Sequence, residues 1–335
     1  MLTFLGIVIA IVLGLALIQN LLLSFVIALV VSYFISPLIS YLEGAGLSRI
    51  IAILIVYSFF TTLTGAVLWA FSPFFVTQLS ALKSSLPQYV EDTTRLFNDF
   101  AVTIDGYTGG LFHIDFSDHI RGFLTRNSTE LIDGLPQFLS TSATVLFLSP
   151  LLGFFILKDG RRASRELLRL VPNNIFELTL SLLHQINEQL SHYIRARLLE
   201  SIIVGMVCFV GFLILGFPYA LLLAAFAAVA NLIPYIGPLF GAVPGIVLAL
   251  INNSSGLMIT MVILVYLAAQ IIDTFFIIPM LVARIVNLHP VTVILAVVLG
   301  AQLMGVLGMF ISIPLASTLK VTFVSVYNHL TDYTS

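Results

Sequence analysis

Long apolar runs occupy most of this chain, and short stretches rich in charge, glycine, proline or asparagine separate them. The runs fall at about 3–18, 21–42, 50–76, 138–157, 199–217, 219–250, 257–281 and 291–318. Within each run the apolar residues are continuous and do not alternate with polar ones, which predicts helices and not the strands of a barrel. A helix needs roughly 20 mostly apolar residues to cross a bilayer. The pattern therefore predicts an all-α polytopic membrane protein with about eight transmembrane segments.

The composition agrees with this class. Of the 335 residues, 59% are hydrophobic and 9% are charged, whereas soluble domains carry about 25% charged residues. Lys and Arg number 14 against 16 Asp and Glu, so there is no basic excess to bind nucleic acid. The single cysteine, Cys208, excludes a disulfide framework and any multi-cysteine metal site, and its apolar flanks predict a buried thiol.

The positive charges of the loops predict the orientation. The segment 158–200 holds seven of the 14 cations, while 77–137 holds four cations and eight acids. Because cytoplasmic loops retain Lys and Arg, we expect 158–198 inside and 77–137 outside. Both termini are then expected in the cytoplasm, in a multi-pass protein of a bacterial cytoplasmic (inner) membrane. The first run lacks the positive start of a signal peptide and is predicted to be a retained helix.

Five domains follow from this division. They are the N-terminal transmembrane helices 1–76, a small extracytoplasmic helical cap 77–137, a transmembrane helix 138–157, cytoplasmic amphipathic helices 158–198, and a C-terminal transport core 199–328 with broken helices. In the fourth domain, four cations lie on one helix face: Lys158, Arg162, Arg165 and Arg169. This stripe predicts contact with anionic lipids at the cytoplasmic face; a solvated face that only fixes the topology explains it equally well.

The sixth run is interrupted by Asn231-Leu-Ile-Pro234-Tyr235-Ile-Gly237-Pro238. Each proline removes a backbone donor and disfavours helix at the residue before it. We therefore expect two half-helices or a re-entrant hairpin, with backbone groups and the Asn231 side chain free to bind a solute, as in many secondary transporters.

Small residues repeat every four positions beside this break. Gly237, Gly241 and Gly245 form one such face, and Gly305 and Gly308, near Pro314, belong to a second in the last run. Such faces predict close helix packing, and a gating surface is the alternative.

Ionisable residues inside apolar sequence indicate function by default, because burying charge in a membrane is costly. Asp273, after Gln270, and Arg284 are two such residues. Asp273 could bind a proton, a monovalent cation or a polar solute; a structural pair with Arg284 or a helix cap is the alternative. His289 is expected to be a turn or cap residue, with a proton relay as the alternative.

An enzymatic reading finds no support in the motifs. The sequence contains no G-x-S-x-G, H-E-x-x-H, C-x-x-C, P-loop or G-x-G-x-x-G. We therefore expect no catalytic residues, no metal ligands and no cofactor.

Several segments in this order resemble the autoinducer-2 exporter family of bacterial membrane proteins. They are Phe155–Gly160 (FILKDG), Leu232–Pro238 (LIPYIGP), Gln270–Asp273 (QIID) with Pro279, Asn287–Pro290 (NLHP), and Gly300–Gly308 with Pro314. The resemblance implies an inner-membrane transporter, with members linked to autoinducer-2 export and others to sodium/proton exchange. The chain departs from the family at Arg195-Ala-Arg197 and at Ala283, where glycine is common.

The sequence thus predicts a secondary transporter that exports a small polar solute such as autoinducer-2. A monovalent cation (sodium)/proton antiporter and a non-transporting membrane scaffold are the alternatives, and association with further copies of the chain stays open. The pathway residues are expected to be Asn231, Pro234, Tyr235, Gly237, Pro238, Gln270, Asp273, Arg284 and His289. Gly241, Gly245, Gly305, Gly308 and Pro314 are expected to serve packing or gating.

Overall fold

The computed structural model of the chain describes residues 19–108, 117–234, 236–251, 256–282 and 288–332. The α-helices of these ranges are α1 (Gln19–Gly44), α2 (Arg49–Thr108), α3 (Ser117–Arg169), α4 (Phe176–Ile214), α5 (Ala220–Ala230), α6 (Ile236–Ile251), α7 (Gly256–Ile272) and α8 (Pro290–Asp332). A 3₁₀ turn, Asn173–Ile175, precedes α4, and a π-helix, Asp273–Val282, continues α7. No strand occurs in the described ranges, and the all-α prediction is confirmed.

Within the described ranges, five helices taken at full length, with the divided α8 counted once, are long and apolar enough to cross a membrane. These candidate spans are Leu21–Gly44, Arg49–Arg95, Phe176–Ile214, Gly256–Met280 and Pro290–Ser325, and α5 and α6 are shorter apolar helices. Large apolar side chains lie exposed along the spans, for example Trp69 at 81% and Phe323 at 73%. Such a surface suits a lipid solvent, and the chain is a multi-pass membrane protein. The predicted segment 3–18 lies outside the described residues, and 138–157 lies within α3.

The described residues divide into two compact units. The first unit lies within Met1–Ala66, Leu139–Leu198 and Pro279–Ser335, and the second within Val67–Phe138 and Leu199–Ile278. Both are built from segments that are distant in sequence, and the five domains named above stay a prediction. In the first unit, α1, the start of α2 and the end of α3 share an apolar core made of Ile35, Ile39, Ala52, Ile53, Val56 and Leu157.

Helix α8 is divided in two, although the sequence predicts one apolar segment over 291–318. Met304 has φ −142° and Gly305 has φ 59° and ψ −141°, so the helix breaks at this pair. A positive φ favours glycine, which has no Cβ to clash with the backbone. Beyond the break the chain folds back, because the backbones of Gly300 and Gly308 lie against each other where neither has a Cβ. We call the pieces 290–303 and 306–332 the two arms of α8.

Candidate functional site

The second unit packs the end of α4 against α5 and α7. Ser201 Oγ donates a hydrogen bond to the carbonyl oxygen of Ala228 in α5. A Cβ at Gly205 would lie 2.7 Å from the Cβ of Ala228 and 3.5 Å from the oxygen of Ala224. The Phe212 ring meets the Tyr266 ring of α7 edge-on, with 5.2 Å between centroids. Small residues on α4 thus let α5 approach closely, and Phe212 fixes the neighbouring helix.

Helices α5 and α6 form an antiparallel hairpin whose tip is the predicted break. Helix α5 ends at Ala230 and α6 begins at Ile236. The backbone carbonyl of Ala230 lies against Gly237, and a Cβ at Gly241 would lie 3.2 Å from the Cα of Ala227. A helix end and a helix start in antiparallel contact establish a hairpin and not a kinked continuous helix.

Five backbone amides of the described part of the tip are hydrogen-bonded, which corrects the expectation of free amide ends for these residues. Asn231 donates to Ala227 (2.9 Å), Leu232 to Val229 (3.2 Å), Ile233 to Ala230 (3.0 Å), Ile236 to Pro234 (2.8 Å) and Gly237 to Ile233 (2.9 Å). The chain reverses through tight turns that satisfy its own donors, as burial in an apolar medium requires. Pro238 lies in the first turn of α6, where a missing N–H costs nothing.

The Asn231 side chain is a polar group of the tip whose hydrogen-bond donor is not satisfied. Its exposed fraction is 1%, and its Nδ2 has no hydrogen-bond acceptor among the described residues. An amide buried without an acceptor costs about 1–3 kcal/mol. This cost favours a role for the amide beyond packing.

Asp273 is the first residue of the π-helix and is 2% exposed. π-helical segments are rare in proteins and are frequent at functional sites. The Gln270 side chain is engaged locally, since its Nε2 donates to Thr274 Oγ1 at 3.0 Å. Of these two predicted residues, Asp273 is therefore the one that is fully buried.

Sequence analysis missed Glu200, whose exposed fraction is 0%. It is the second residue of the apolar run 199–217 and also the last residue of the cation-rich segment 158–200, so the hydropathy pattern does not mark it as an intramembrane charge. Helix α4 runs unbroken from Phe176 through this position, which places Glu200 inside packed structure. The sequence does contain one indication of this burial. Ser201 and Gly205 are small residues four positions apart, which predicts a close helix contact directly after Glu200.

The packing registers of α4, α5, α6 and α7 bring Glu200, Asn231 and Asp273 to the same end of these four helices. The pairs Ser201–Ala228 and Gly205–Ala224 set α4 antiparallel to α5, and continuing this register puts Asn231 within one turn of Glu200. Gly245 faces Tyr266 of α7. A Cβ added at Gly245 would lie 2.9 Å from Cε2 of the tyrosine ring. Because α6 and α7 are consecutive neighbours, continuing their antiparallel register puts Gly237 level with Asp273.

We call Glu200, Asn231 and Asp273 the polar level. It offers two carboxyl groups and one amide, and the buried polar side chains of Arg197 and Ser201 lie beside Glu200 on α4. Carboxylates can hold a proton or a hard cation such as sodium, and they accept hydrogen bonds from hydroxyl groups of a solute. The arrangement suits a binding site for a small polar solute or a monovalent cation.

The remaining predicted residues lie elsewhere. Nδ1 of exposed His289 accepts a hydrogen bond from the Val291 amide at 3.3 Å, so this side chain caps the start of α8. Gly308 packs on Gly300, Gly305 forms the break, and Pro314 lies in the second arm of α8. These residues belong to the first unit. Tyr235 and Arg284 lie outside the described residues.

The chain matches one known protein family along nearly its whole length. The sequence model of the family described as "AI-2E family transporter" matches residues 5–328. The "Putative transport protein YueF" of Bacillus subtilis is 26% identical over 301 residues, which cover 87% of this chain and 80% of that protein. The "Putative transport protein YrrI" of the same organism is 29% identical over 296 residues, 86% and 81% of the two chains. The "Putative permease PerM" of Escherichia coli is 35% identical over 182 residues, 54% and 51% of the two chains.

Proposed function

Because the chain belongs to the AI-2E transporter family, we propose that it is a secondary transporter that exports a small polar solute such as autoinducer-2. The observation that supports the proposal is the polar level beside a broken membrane helix. Secondary transporters commonly build their sites from discontinuous helices, whose ends and polar side chains replace the hydration of the cargo. The sequence has no ATP-binding motif, and the proposed driving force is an ion gradient or the gradient of the solute.

A monovalent cation/proton antiporter is the second candidate. The two buried carboxyl groups of Glu200 and Asp273 favour it, because carboxyl groups inside a membrane domain are typical sites for a proton or a monovalent cation. A scaffold that transports nothing has no use for the buried Asn231 amide, whose Nδ2 has no acceptor among the described residues.

The proposal places the protein in a bacterial cytoplasmic membrane with both termini inside. Cysteine labelling in intact cells tests the orientation. We expect an impermeant reagent to modify a cysteine placed at Ser117 and not one placed at Ser164. The reverse labelling pattern would mean that the orientation in the membrane is opposite to the proposed one.

Transport assays in proteoliposomes test the function. Purified chain is assayed for counterflow of labelled autoinducer-2 and for sodium-driven proton movement, with protein-free vesicles as the blank. Asp273→Asn keeps the shape and hydrogen bonding of the side chain but removes its charge. We expect it to abolish the dependence of transport on pH or sodium and to leave folding intact. Asp99→Asn on α2, at an exposed acid, is the matched control and should transport normally.

Other outcomes decide between function and structure. If Asp273 only pairs with Arg284, Asp273→Asn leaves a lone buried cation and destabilises the protein, and the double variant with Arg284→Gln restores stability. A double variant with normal stability and unaltered ion dependence would contradict a transport role for Asp273. Counterflow and exchange that both equal the blank would contradict the transporter itself.

A further inference from the structure

A cavity of about 940 Å³ lies in the first unit, apart from the polar level. Parts of α1, the end of α3 and the start of α4 enclose it. Its lining combines three arginines and a histidine, Arg49, Arg161, Arg165 and His184, with hydroxyl groups of serine. A cavity with this many donors and cations suits an anion.

One carboxylate serves two of the three arginines. Arg49 Nη1 lies 3.1 Å from Glu43 Oε1, and Arg161 Nη2 lies 3.0 Å from Glu43 Oε2. Arg49 is further fixed by its Nε, which donates to the Leu157 carbonyl at 2.8 Å. Three guanidinium groups against one carboxylate leave the cavity with excess positive charge.

Arg165 is the arginine that this carboxylate does not reach. Its Nε donates to the carbonyl oxygen of Arg161 at 3.2 Å, which orients the guanidinium group. Its two terminal nitrogens have no acceptor among the described residues. They can donate to two oxygens of one phosphate, the pairing for which arginine geometry is best suited.

Apart from Tyr33 and Asn187, the rest of the lining is apolar and includes Leu168, Leu180 and Leu183. A free inorganic anion gains nothing from leucine walls, whereas an amphiphile buries its first methylene groups there. Basic pockets between transmembrane helices bind the headgroups of anionic lipids in this way. We infer that the cavity binds an anionic phospholipid, with its phosphate on Arg165 and its acyl chains leaving along the leucines. This inference does not depend on the transported solute.

Lipid titration of the full chain in detergent, followed by native mass spectrometry, tests the inference. Phosphatidylglycerol is compared with phosphatidylcholine of the same acyl chains, and we expect the first to bind more tightly. Arg165→Gln should raise the apparent Kd for phosphatidylglycerol about fivefold, the effect of one cation near an anionic surface. Arg162→Gln is the comparison for general surface charge, because Arg162 belongs to the same exposed basic stripe as Arg165 but does not line the cavity.

A second variant fills the cavity without a change of charge. Ser36 lines it from α1, and Ser36→Phe should abolish the preference for phosphatidylglycerol. Leu38→Phe, at an exposed position of α1 outside the cavity, should leave the preference intact. Equal losses in Arg165→Gln and Arg162→Gln would reduce the effect to general surface charge and overturn the inference. Displacement of the lipid by millimolar inorganic phosphate or glycerophosphoglycerol would assign the cavity to a soluble phosphate and also overturn it.

Discussion

The α5–α6 hairpin and the two arms of α8 both reverse the direction of an apolar chain, but they differ in what surrounds the turn. In both, backbones approach closely at glycine, at Gly237 in the first and at Gly300 and Gly308 in the second. The tip of the first hairpin contains Asn231, which is 1% exposed, whereas Leu303 beside the second turn is 82% exposed. One turn is buried and polar, and the other is exposed and apolar.

This difference separates architecture from function. A reversal of the chain needs only tight turns and a close glycine contact, and α8 shows that polar groups are not required for it. The buried amide of Asn231 and the carboxyl groups at its level therefore have no structural necessity in the reversal. The cost of burying the Asn231 amide without an acceptor is the reason for the proposal that transport uses the first hairpin.

The largest effect is expected at Gly237. A Cβ there would collide with the Ala230 carbonyl, and backbone cannot move aside cheaply, so Gly237→Ala should lower the free energy of unfolding by about 3 kcal/mol. The folded fraction should also lose transport, because the tip is displaced. Thermal unfolding and counterflow measure the two effects. Gly256→Ala meets nothing within 4 Å and is the control; an equal loss in both variants would contradict the close contact.

A smaller effect is expected at the turn of α8. Gly305→Ala forces an alanine into φ 59° and ψ −141°, which costs about 2 kcal/mol of backbone strain. Transport per folded molecule should stay unchanged, because no group of the polar level lies in this turn. If Gly305→Ala lost as much transport per folded molecule as a variant of the polar level, the second hairpin would also belong to the functional site.

The smallest effect on stability is expected at Asn231. Leucine is similar in size and removes a buried donor that has no acceptor, so Asn231→Leu should raise the free energy of unfolding by about 1 kcal/mol. Transport should nevertheless fall strongly, since the amide is a proposed ligand. Asn173→Leu, at an exposed asparagine, controls for the substitution. Normal transport by Asn231→Leu would remove the amide from the proposed site.

The first hairpin could be predicted because prolines and spacing carry backbone information. Pro234 and Pro238 predict where helix cannot continue, and glycines four residues apart predict the face that closes. Hydrogen bonds within the turn are not encoded in residue type, and for that reason the expectation of free amides was wrong.

The second hairpin and Glu200 escaped prediction for different reasons. Gly305 sits in a series of small residues, where the sequence cannot distinguish a packing glycine from one that needs a positive φ. Glu200 stands at the edge of an apolar run, and hydropathy assigns such a residue to the interface. Its burial depends on the continuity of α4 from Phe176 and on the helices packed beside it.

The length of α5 determines how an ion bound at the tip would sense the membrane potential. Its 11 residues span about 16 Å at 1.5 Å per residue, roughly half of a 30 Å hydrocarbon layer. A cation that reaches the tip from the side where α5 begins has therefore crossed about half of the electric field. Binding alone would then contribute about 1.2 kcal/mol per 100 mV, and the affinity for the ion would change with voltage before any transport step took place.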